Sequence, residues 1–368
     1  MLMIEIEGGA RQRGLTYGEA AREQIRASID YYRGVFAACD PSGAPGLQWP
    51  DVLAAARGWR RVIARAAPEL LIEMDAIAEG ADLHEDEILA LNARTEILTR
   101  PDFGFGECCA FALVPEATAD GHVYCGQNWD WRAGAASSVV SLRIVQPPKP
   151  TIVMPVEAGQ IARHGANSAG IALNASALDG AFGTPTGLPQ TILRRMILDA
   201  DNLHDALAVP YNHRQQIAAN LLFTHRDGIT IDLETTPLGH NHGEPRAGVL
   251  VHGNHYRYGT PDAARKLSAI DSLFRVQVIE RGLAAARAGD VRAIIARTLS
   301  DHSAYPHSVC CHPDERAAEM TRYKTIASSI VDLTTGEFLV TGGNPCENDY
   351  RPLPWNLFDG PPGVRYGG

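Results

Sequence analysis

The sequence of 368 residues lacks several features that would place it in common classes of protein. Its formal net charge is −10, and it contains no basic stripe of the kind that binds nucleic acid or an anionic membrane. No run approaches the roughly 18 consecutive apolar residues of a membrane-spanning helix. The first residues have neither the basic region nor the apolar stretch of a secretory signal. We therefore expect a cytoplasmic protein that acts on a small molecule, without a nucleic-acid or membrane partner.

The cysteines do not form the pattern of a disulfide framework. Their number is odd, they include two adjacent pairs, and no Cys-x-x-Cys motif occurs. No glycine-rich dinucleotide-binding or phosphate-binding motif follows a predicted strand, and no internal repeat is present. The sequence therefore predicts no cofactor. The seven cysteines are Cys39, Cys108, Cys109, Cys125, Cys310, Cys311 and Cys346.

Helical patterns fill the first hundred residues. Apolar residues recur at intervals of three and four in 17–39, which predicts a helix with one buried face. Helices are also predicted for 51–66, 69–78 and 85–98. This part of the chain is followed by a connector, 101–106, that is rich in proline and glycine.

The rest of the chain combines short strands with a few helices in separate runs. Three hairpin signals lie between apolar strands: Asp120-Gly121, Asp227-Gly228 and Thr335-Gly336. Helices are predicted for 190–199, 262–286 and 290–299. Strands and helices that do not alternate strictly favour a layered α+β domain with antiparallel sheets over a parallel nucleotide-binding sheet.

A pair of thiols stands at the head of the first apolar strand. Cys108 and Cys109 follow the connector, which is the kind of exposed segment in which a chain can be cut. No basic neighbour lowers the pKa of either thiol. If the chain cuts itself before Cys108, the new α-amine, with a pKa of about 7.7–8.0, can remove the proton from its own thiol. This is the logic of an N-terminal nucleophile hydrolase.

An acid follows one hairpin later. Asp130 lies on the strand after the Asp120-Gly121 turn, so closing the hairpin brings it towards the head of the first strand. Trp129 and Trp131 flank it and predict partial burial, where a carboxylate needs a partner. An isolated aspartate would otherwise be interpreted as a surface residue.

Asparagine amides are the candidates for an oxyanion hole. Asn167 and Asn174 flank Gly170, and Asn220 precedes an apolar run. An amide supplies two donors without a charge, which suits the stabilisation of a tetrahedral oxyanion. Asparagine beside glycine also commonly forms a turn, so the pattern does not decide between the two roles.

Two other classes of function remain open at this point. One is a zinc-dependent amidohydrolase, because histidines cluster in one segment and Cys310-Cys311-His312 follows. Their spacing is not the His-Glu-x-x-His or paired-cysteine spacing of zinc sites, so we expect no metal. The other is a non-catalytic small-molecule binding protein, which leaves the connector before Cys108 without a role. The clustered histidines are His240, His242, His252 and His255.

Taken together, these residues resemble the isopenicillin N acyltransferase (acyl-CoA:6-aminopenicillanate acyltransferase) family of N-terminal nucleophile hydrolases. The resemblance runs along nearly the whole chain, and its most specific motif is Gly-Gln-Asn-Trp-Asp. The motifs that carry it are Glu79-Gly80-Ala81, Leu91-Asn92-Ala93-Arg94-Thr95-Glu96, Cys108, Gly126-Gln127-Asn128-Trp129-Asp130, Asn167-Ser168-Ala169-Gly170, Leu233-Glu234, His252-Gly253-Asn254-His255 and Gly343-Asn344-Pro345-Cys346.

The resemblance implies a four-layer αββα sandwich made as a precursor. Self-cleavage divides it into a helical N-terminal chain, 1–107, and a hydrolase core, 108–368, which stay associated and can form a homo-oligomer. Cys108 would be the nucleophile, with Cys109 as the alternative. Asp130 would orient the amine and the thiol, and Asn220 would donate to the oxyanion.

The resemblance also bears on the substrate. Gln127 occupies a position where related bile-salt and penicillin V amidases have arginine, and this matches the acyltransferase branch. The expected substrate is a small N-acyl amide, a peptide or an acyl-CoA thioester. Hydrolysis and acyl transfer both remain open.

Overall fold

A computed structural model describes residues 1–38, 46–98, 108–180, 182, 186–264 and 269–359. The connector, 101–106, therefore lies outside the described residues. The predicted cleavage site lies at the end of the same undescribed segment, directly before Cys108. The helices are α1 (Ala10–Ala20), α2 (Arg22–Ala37), α3 (Trp49–Ala66), α4 (Pro68–Ala81), α5 (Glu85–Asn92), α6 (Arg94–Leu98), α7 (Gln190–Leu198), α8 (Leu203–Asn212), α9 (Ser272–Leu283) and α10 (Val291–Leu299). The strands are β1 (Leu2–Glu7), β2 (Cys109–Leu113), β3 (Tyr124–Arg132), β4 (Val139–Val145), β5 (Ile152–Glu157), β6 (Gly165–Asn167), β7 (Ile171–Ala177), β8 (Ala219–His225), β9 (Ile229–Thr236), β10 (Gly239–Gly243), β11 (Val249–His252), β12 (Tyr323–Asp332), β13 (Glu337–Gly342) and β14 (Arg351–Pro352).

Within the described ranges the strands form two sheets. The first contains eight strands in the order β1-β4-β5-β6-β7-β8-β9-β10, and the second contains six in the order β11-β2-β3-β12-β13-β14. Neighbouring strands are antiparallel except β1 and β4, which are parallel. The antiparallel sheets confirm the prediction. None of the helices in these ranges is both long enough and apolar enough to cross a bilayer.

Alternating side chains divide the interior into three cores. Met154 of β5 lies in a core between the eight-stranded sheet and the N-terminal helices with α7. Val153, the preceding residue, lies in a second core with Ala112 of β2, between the two sheets. Phe111 points the other way and packs with Ile279 of α9 in the third core. The layers are therefore helices, sheet, sheet, helices, and the predicted αββα sandwich is confirmed.

The sequence predicted that the first hundred residues are helical, but the N-terminal part of the chain also contains a strand. Leu2–Glu7 forms the edge strand β1, which pairs with β4. Ile4 and Ile6 are buried while Glu5 and Glu7 are exposed, a period of two that is typical of a half-buried strand. Burial of this one face against the helices stabilises a strand that is only six residues long.

Other element boundaries also differ from the predictions. The single helix predicted for 17–39 lies instead in two helices that meet at Ala21. The helix predicted for 262–286 is shorter, since α9 begins only at Ser272. Helix α8 was not predicted, because Pro210 lies inside it and proline in a helix interior normally ends the helix.

The hairpin predictions are correct. Gly228 and Gly336 occupy the turns between β8 and β9 and between β12 and β13, with φ angles of 81° and 79°. Only glycine adopts such angles without a steric penalty. These turns fix the register of the strands that lie around the candidate site.

Candidate active site

Cys108 lies directly before β2, where the described chain resumes after the gap 99–107. Strand β2 pairs with β3, with Cys109 opposite Asn128. Because successive side chains alternate faces, Cys108 packs in the core that contains Trp129, whereas Cys109 lies in the core beneath α9. The two adjacent thiols therefore occupy different environments, and Cys108 is only 1% exposed.

Asp130 of β3 lies within reach of this thiol. The Cys108 Sγ donates a weak hydrogen bond to the backbone oxygen of Asp130, with an Sγ to O distance of 3.7 Å. The Asp130 carboxylate is fully buried, and its Oδ1 accepts a hydrogen bond of 2.5 Å from the Thr325 hydroxyl. Thr325 lies on β12, directly opposite Asp130 in the sheet. Strand pairing thus fixes a buried acid whose backbone contacts the Cys108 thiol.

The surroundings of Cys108 favour the protonated thiol. Burial raises the pKa of the Cys108 thiol above its ordinary value, the positive charge of Arg163 opposes this rise, and the negative charge of Asp130 adds to it. A thiol in this state is a poor nucleophile until a base removes its proton. The α-amine of a terminal cysteine would be a base in the right place.

Two buried arginines, Arg163 and Arg194, carry positive charges that lower the pKa of the Cys108 thiol, and neither of them was predicted from the sequence. The guanidinium of Arg163 stacks on the indole of Trp129, with its carbon 4.8 Å from the ring centroid. Burial lowers the pKa of Arg163, and burial together with the charge of Arg163 lowers the pKa of Arg194 to about 9. In the described part of the chain neither arginine forms a salt bridge, and neither Nε has a hydrogen-bond partner. Such cations are suited to hold an anion.

A third arginine, Arg275 of α9, contacts both cysteines. Arg275 is fully buried, and its Nη1 donates to the Cys108 carbonyl oxygen at 3.2 Å and lies 2.6 Å from the Cys109 Sγ. Its Nη2 donates to the Oδ1 of Asn254 at 3.0 Å, and its Nε pairs with Asp271. Arg275 therefore brings the His-Gly-Asn-His segment next to Cys108. No role for Asn254 was evident from its place in the sequence.

Gln127 and Asn167 take part in bonds that shape the sandwich. Gln127 of β3 accepts a hydrogen bond of 2.9 Å from the backbone N–H of Ala175 on β7, so it joins the two sheets. The amide of Asn167 donates to the carbonyl oxygens of Leu198 and Ala200, at 2.9 and 2.8 Å. Both amide hydrogens of Asn167 are thus committed at the end of α7. Neither side chain has a hydrogen bond to Cys108 within the described residues.

Asn220 lies on β8 in a separate buried polar cluster. Its Nδ2 donates to the carboxylate of Asp232 on the neighbouring strand β9. The Nε2 of His252 lies 3.7 Å from Asp232 and 3.0 Å from Glu234. No hydrogen bond between Asn220 and Cys108 is present in the part of the chain that the structure describes.

The histidines of the central segment do not converge on one point. The Nε2 of His240 lies 2.9 Å from the backbone oxygen of Pro210, whereas the Nδ1 of His255 lies 2.8 Å from the Ser272 hydroxyl. His252 instead faces Glu234. In the described ranges these histidines do not bring three metal-binding atoms together.

Comparison with known proteins adds to this geometry. Residues 117–347 match the family model described as acyl-coenzyme A:6-aminopenicillanic acid acyl-transferase. The chain is 28% identical over 320 residues to the 40 kDa form of acyl-coenzyme A:6-aminopenicillanic-acid-acyltransferase from Emericella nidulans, and the match covers 84% of each chain.

Similar solved structures have low sequence identity. A mutant of conjugated bile acid hydrolase from Clostridium perfringens is 13% identical, with a TM-score of 0.43, and the match covers 68% of this chain and 97% of that one. A penicillin V acylase from Agrobacterium tumefaciens is also 13% identical, with a TM-score of 0.41 and coverage of 64% and 83%.

Proposed function

The chain belongs to the acyl-coenzyme A:6-aminopenicillanic acid acyltransferase family and is an enzyme acting on C–N bonds, and we propose that it is a self-processing cysteine enzyme. Its nucleophile is Cys108, and its substrate is a small N-acyl amide, peptide or acyl thioester. The observation that supports the proposal is the buried thiol of Cys108, the residue directly before β2, which donates a weak hydrogen bond to the backbone oxygen of Asp130 on β3. The reaction passes through a covalent acyl-enzyme.

Self-cleavage is the first reaction of the proposed nucleophile. The Cys108 thiol attacks the carbonyl carbon of Glu107, the C–N bond breaks as its nitrogen takes up a proton, and a thioester forms. Water then hydrolyses the thioester, which releases the Glu107 carboxylate and restores the thiol beside a free α-amine. Arg275 holds the Cys108 carbonyl oxygen during these steps.

The two resulting chains have reason to stay together. Strand β1 of the N-terminal chain pairs with β4 of the other chain along six residue pairs. Arg94 of the first chain forms a fully buried ion pair with Glu157 of the second, with its Nε 3.0 Å from Oε2. A buried ion pair is costly to separate, because each charge would lose its partner.

The mature enzyme repeats the chemistry on an external substrate. The α-amine of Cys108 takes the thiol proton, the thiolate adds to the substrate carbonyl, and the carboxylate of Asp130 stabilises the ammonium that forms. The amine of the substrate then leaves with a proton. The acyl group passes from sulfur to water in hydrolysis or to an acceptor amine in transfer, and access of water to the thioester decides between them.

Two asparagines are proposed as donors to the oxyanion. Asn220 is the residue that the resemblance implies. Asn254 is supported by its position, since its amide oxygen and the carbonyl oxygen of Cys108 bind the same guanidinium, that of Arg275, while its Nδ2 donates a hydrogen bond to the carbonyl oxygen of Ala177. A positioned donor of this kind is typically worth a factor of about 10²–10³ in turnover.

The arginine pair indicates the class of substrate. Arg163 and Arg194 are buried, and their charges lower the pKa of the Cys108 thiol. Neither has a salt bridge from the described residues, so an anionic group of the substrate would satisfy both guanidinium groups. A carboxylate close to the scissile bond, as in an N-acyl amino acid, fits this requirement.

We expect Arg194→Gln to raise the KM for an N-acyl amino acid about tenfold, the scale of one lost hydrogen bond to a charged group. The matched control is the same substrate with its carboxylate converted to an amide, for which the variant should change the KM less than twofold. The measurement is steady-state kinetics of both substrates with both enzymes. An equal loss on the two substrates would contradict the assignment of the pair to a substrate carboxylate.

The proposed function as a whole is tested by trapping the acyl-enzyme. The purified enzyme is mixed in turn with N-acyl amino acids, acylated peptides and acyl-CoA thioesters. Each reaction is quenched in acid, and the mass of the protein is measured by mass spectrometry. The expected result is an adduct of the acyl mass on the chain that contains Cys108, which decays faster when an amine acceptor is added. Turnover without any adduct, and with full activity in Cys108→Ala, would instead favour a mechanism without this thiol.

A further inference from the structure

Four side chains from two segments of the sequence converge beyond the end of α10. They are His302, Cys310, His312 and Cys346, and one nitrogen or sulfur atom of each lies within 4.8 Å of all the others. The first three belong to the segment between α10 and β12, and the fourth follows β13. Each group is a recognised ligand of transition metals.

The distances within this cluster are close to those around one tetrahedral metal ion. The Sγ atoms of Cys310 and Cys346 are 3.5 Å apart, and the Nε2 of His312 lies 3.6 and 3.3 Å from them. The Nε2 of His302 lies 3.1 Å from that of His312. Zinc bonds of about 2.3 Å to sulfur and 2.0–2.1 Å to nitrogen place neighbouring ligand atoms roughly 3.3–3.8 Å apart in a tetrahedron.

The surroundings of the cluster support thiolate ligands. The Nδ2 of Asn344 lies 3.3 Å from the Cys310 Sγ and donates to it. The same Nδ2 donates to the carbonyl oxygen of Cys311 at 2.7 Å. On the other side, the Nδ1 of His312 lies 3.8 Å from an oxygen of Glu347. Donors to the sulfur and a carboxylate behind the imidazole are the usual outer partners of metal ligands.

We propose that His302, Cys310, His312 and Cys346 bind one Zn²⁺ in a structural Cys₂His₂ site. Four protein ligands close the coordination shell, so the ion holds the chain together and has no open position for a substrate. Short ligand spacings in the sequence predicted no metal, whereas this set joins residues on two sides of the hairpin formed by β12 and β13. The proposal does not depend on the proposed function.

The site has a direct connection to the catalytic acid. The backbone N–H of Cys311, between two ligands, donates to the Thr325 hydroxyl at 3.0 Å. That hydroxyl in turn donates to the carboxylate of Asp130 at 2.5 Å. Zinc would therefore fix the segment that orients Thr325, and through it Asp130. Its role is to position these groups, and the proposed reaction at Cys108 uses no metal.

The test is the zinc content of the full-length protein, purified under reducing conditions without a metal-affinity step. We expect about one zinc per chain by elemental analysis in the wild type and less than a tenth of that in Cys346→Ser and His302→Ala, two exposed ligands whose replacement leaves the core intact. The matched control is His307→Ala, a histidine of the same segment outside the cluster, which should retain the metal.

The melting temperature of the wild-type protein provides a second test, which does not require that the variants fold well. Removal of zinc from the wild type by a chelator should lower the melting temperature, and added Zn²⁺ should restore it, whereas the two ligand variants should not respond to Zn²⁺. Co²⁺ in the emptied site should give the visible absorption of tetrahedral thiolate coordination. Wild-type protein without zinc that also fails to be stabilised by Zn²⁺, or equal zinc content in His302→Ala and the wild type, would overturn the proposal. A disulfide between Cys310 and Cys346 that persists in protein purified under reducing conditions would also overturn the proposal.

Discussion

Replacing Cys108 by alanine should leave the chain uncut and abolish turnover. The same sulfur is proposed both to attack the Glu107 carbonyl and to carry the acyl group, so one substitution removes two reactions. The substitution should be tolerated by the fold, because alanine fills most of the space of a small buried side chain. The measurements are the intact mass of the purified variant and its amidase activity.

The neighbouring thiol provides the control for this variant. Cys109 faces the opposite core and contacts Arg275, so Cys109→Ser retains a polar atom for the guanidinium and should be cut and active. A Cys108→Ala chain that is cut and active would contradict the assignment. If Cys109→Ser is instead the uncut and inactive variant, the nucleophile is Cys109.

Replacing Asp130 by asparagine should lower turnover by roughly 10² or more, the usual scale for losing a positioned acid-base partner. Asparagine keeps the shape of the side chain and can still accept the hydrogen bond from the Thr325 hydroxyl. It removes the negative charge that stabilises the ammonium formed when the Cys108 thiol gives up its proton. The measurement is kcat for the processed variant, and the melting temperature should change less than kcat.

A second buried acid on the same strands is the matched control. Asp332 lies at the other end of β12, opposite Tyr124 of β3, and is also fully buried. Asp332→Asn removes a charge of the same kind from the same pair of strands, and its turnover should stay within a few-fold of wild type. A processed Asp130→Asn enzyme that turns over equally well would show that the Trp-flanked acid is only structural.

Hydrophobic periodicity and turn residues act locally, so the sequence predicted a layered α+β domain with antiparallel sheets, whereas the four αββα layers were implied by the resemblance to the acyltransferase family. The hairpin at Gly336 could be identified from one dipeptide, and the antiparallel sheets followed from the order of strands and helices. Strand β1 was missed because its alternation is short and its partner β4 lies more than a hundred residues away. A pairing of that range leaves no signature in neighbouring residues.

The residues of the candidate site also differ in whether they could be predicted from the sequence. Cys108 and Asp130 are joined by one hairpin, so their contact could be anticipated from the strand order. Arg163 lies in a loop and Arg194 in α7, and an arginine in either place is ordinary in sequence although both charges act on the Cys108 thiol. Their importance comes from burial without a salt bridge, which only the packing of the described chain reveals.

The proposed metal site shows the same limit for residues that are far apart. Cys346 lies on the far side of a hairpin from Cys310, and their Sγ atoms are 3.5 Å apart only because β12 and β13 pair. A motif search based on short spacings does not find such a set.

The proposed function depends above all on self-cleavage, which makes Cys108 the N-terminal nucleophile. The most direct test is the intact mass of the purified wild-type protein, followed by N-terminal sequencing of each fragment. We predict two associated fragments, one of which begins at Cys108. A single full-length chain with full amidase activity would contradict the account, and a fragment that begins at Cys109 would move the nucleophile by one residue.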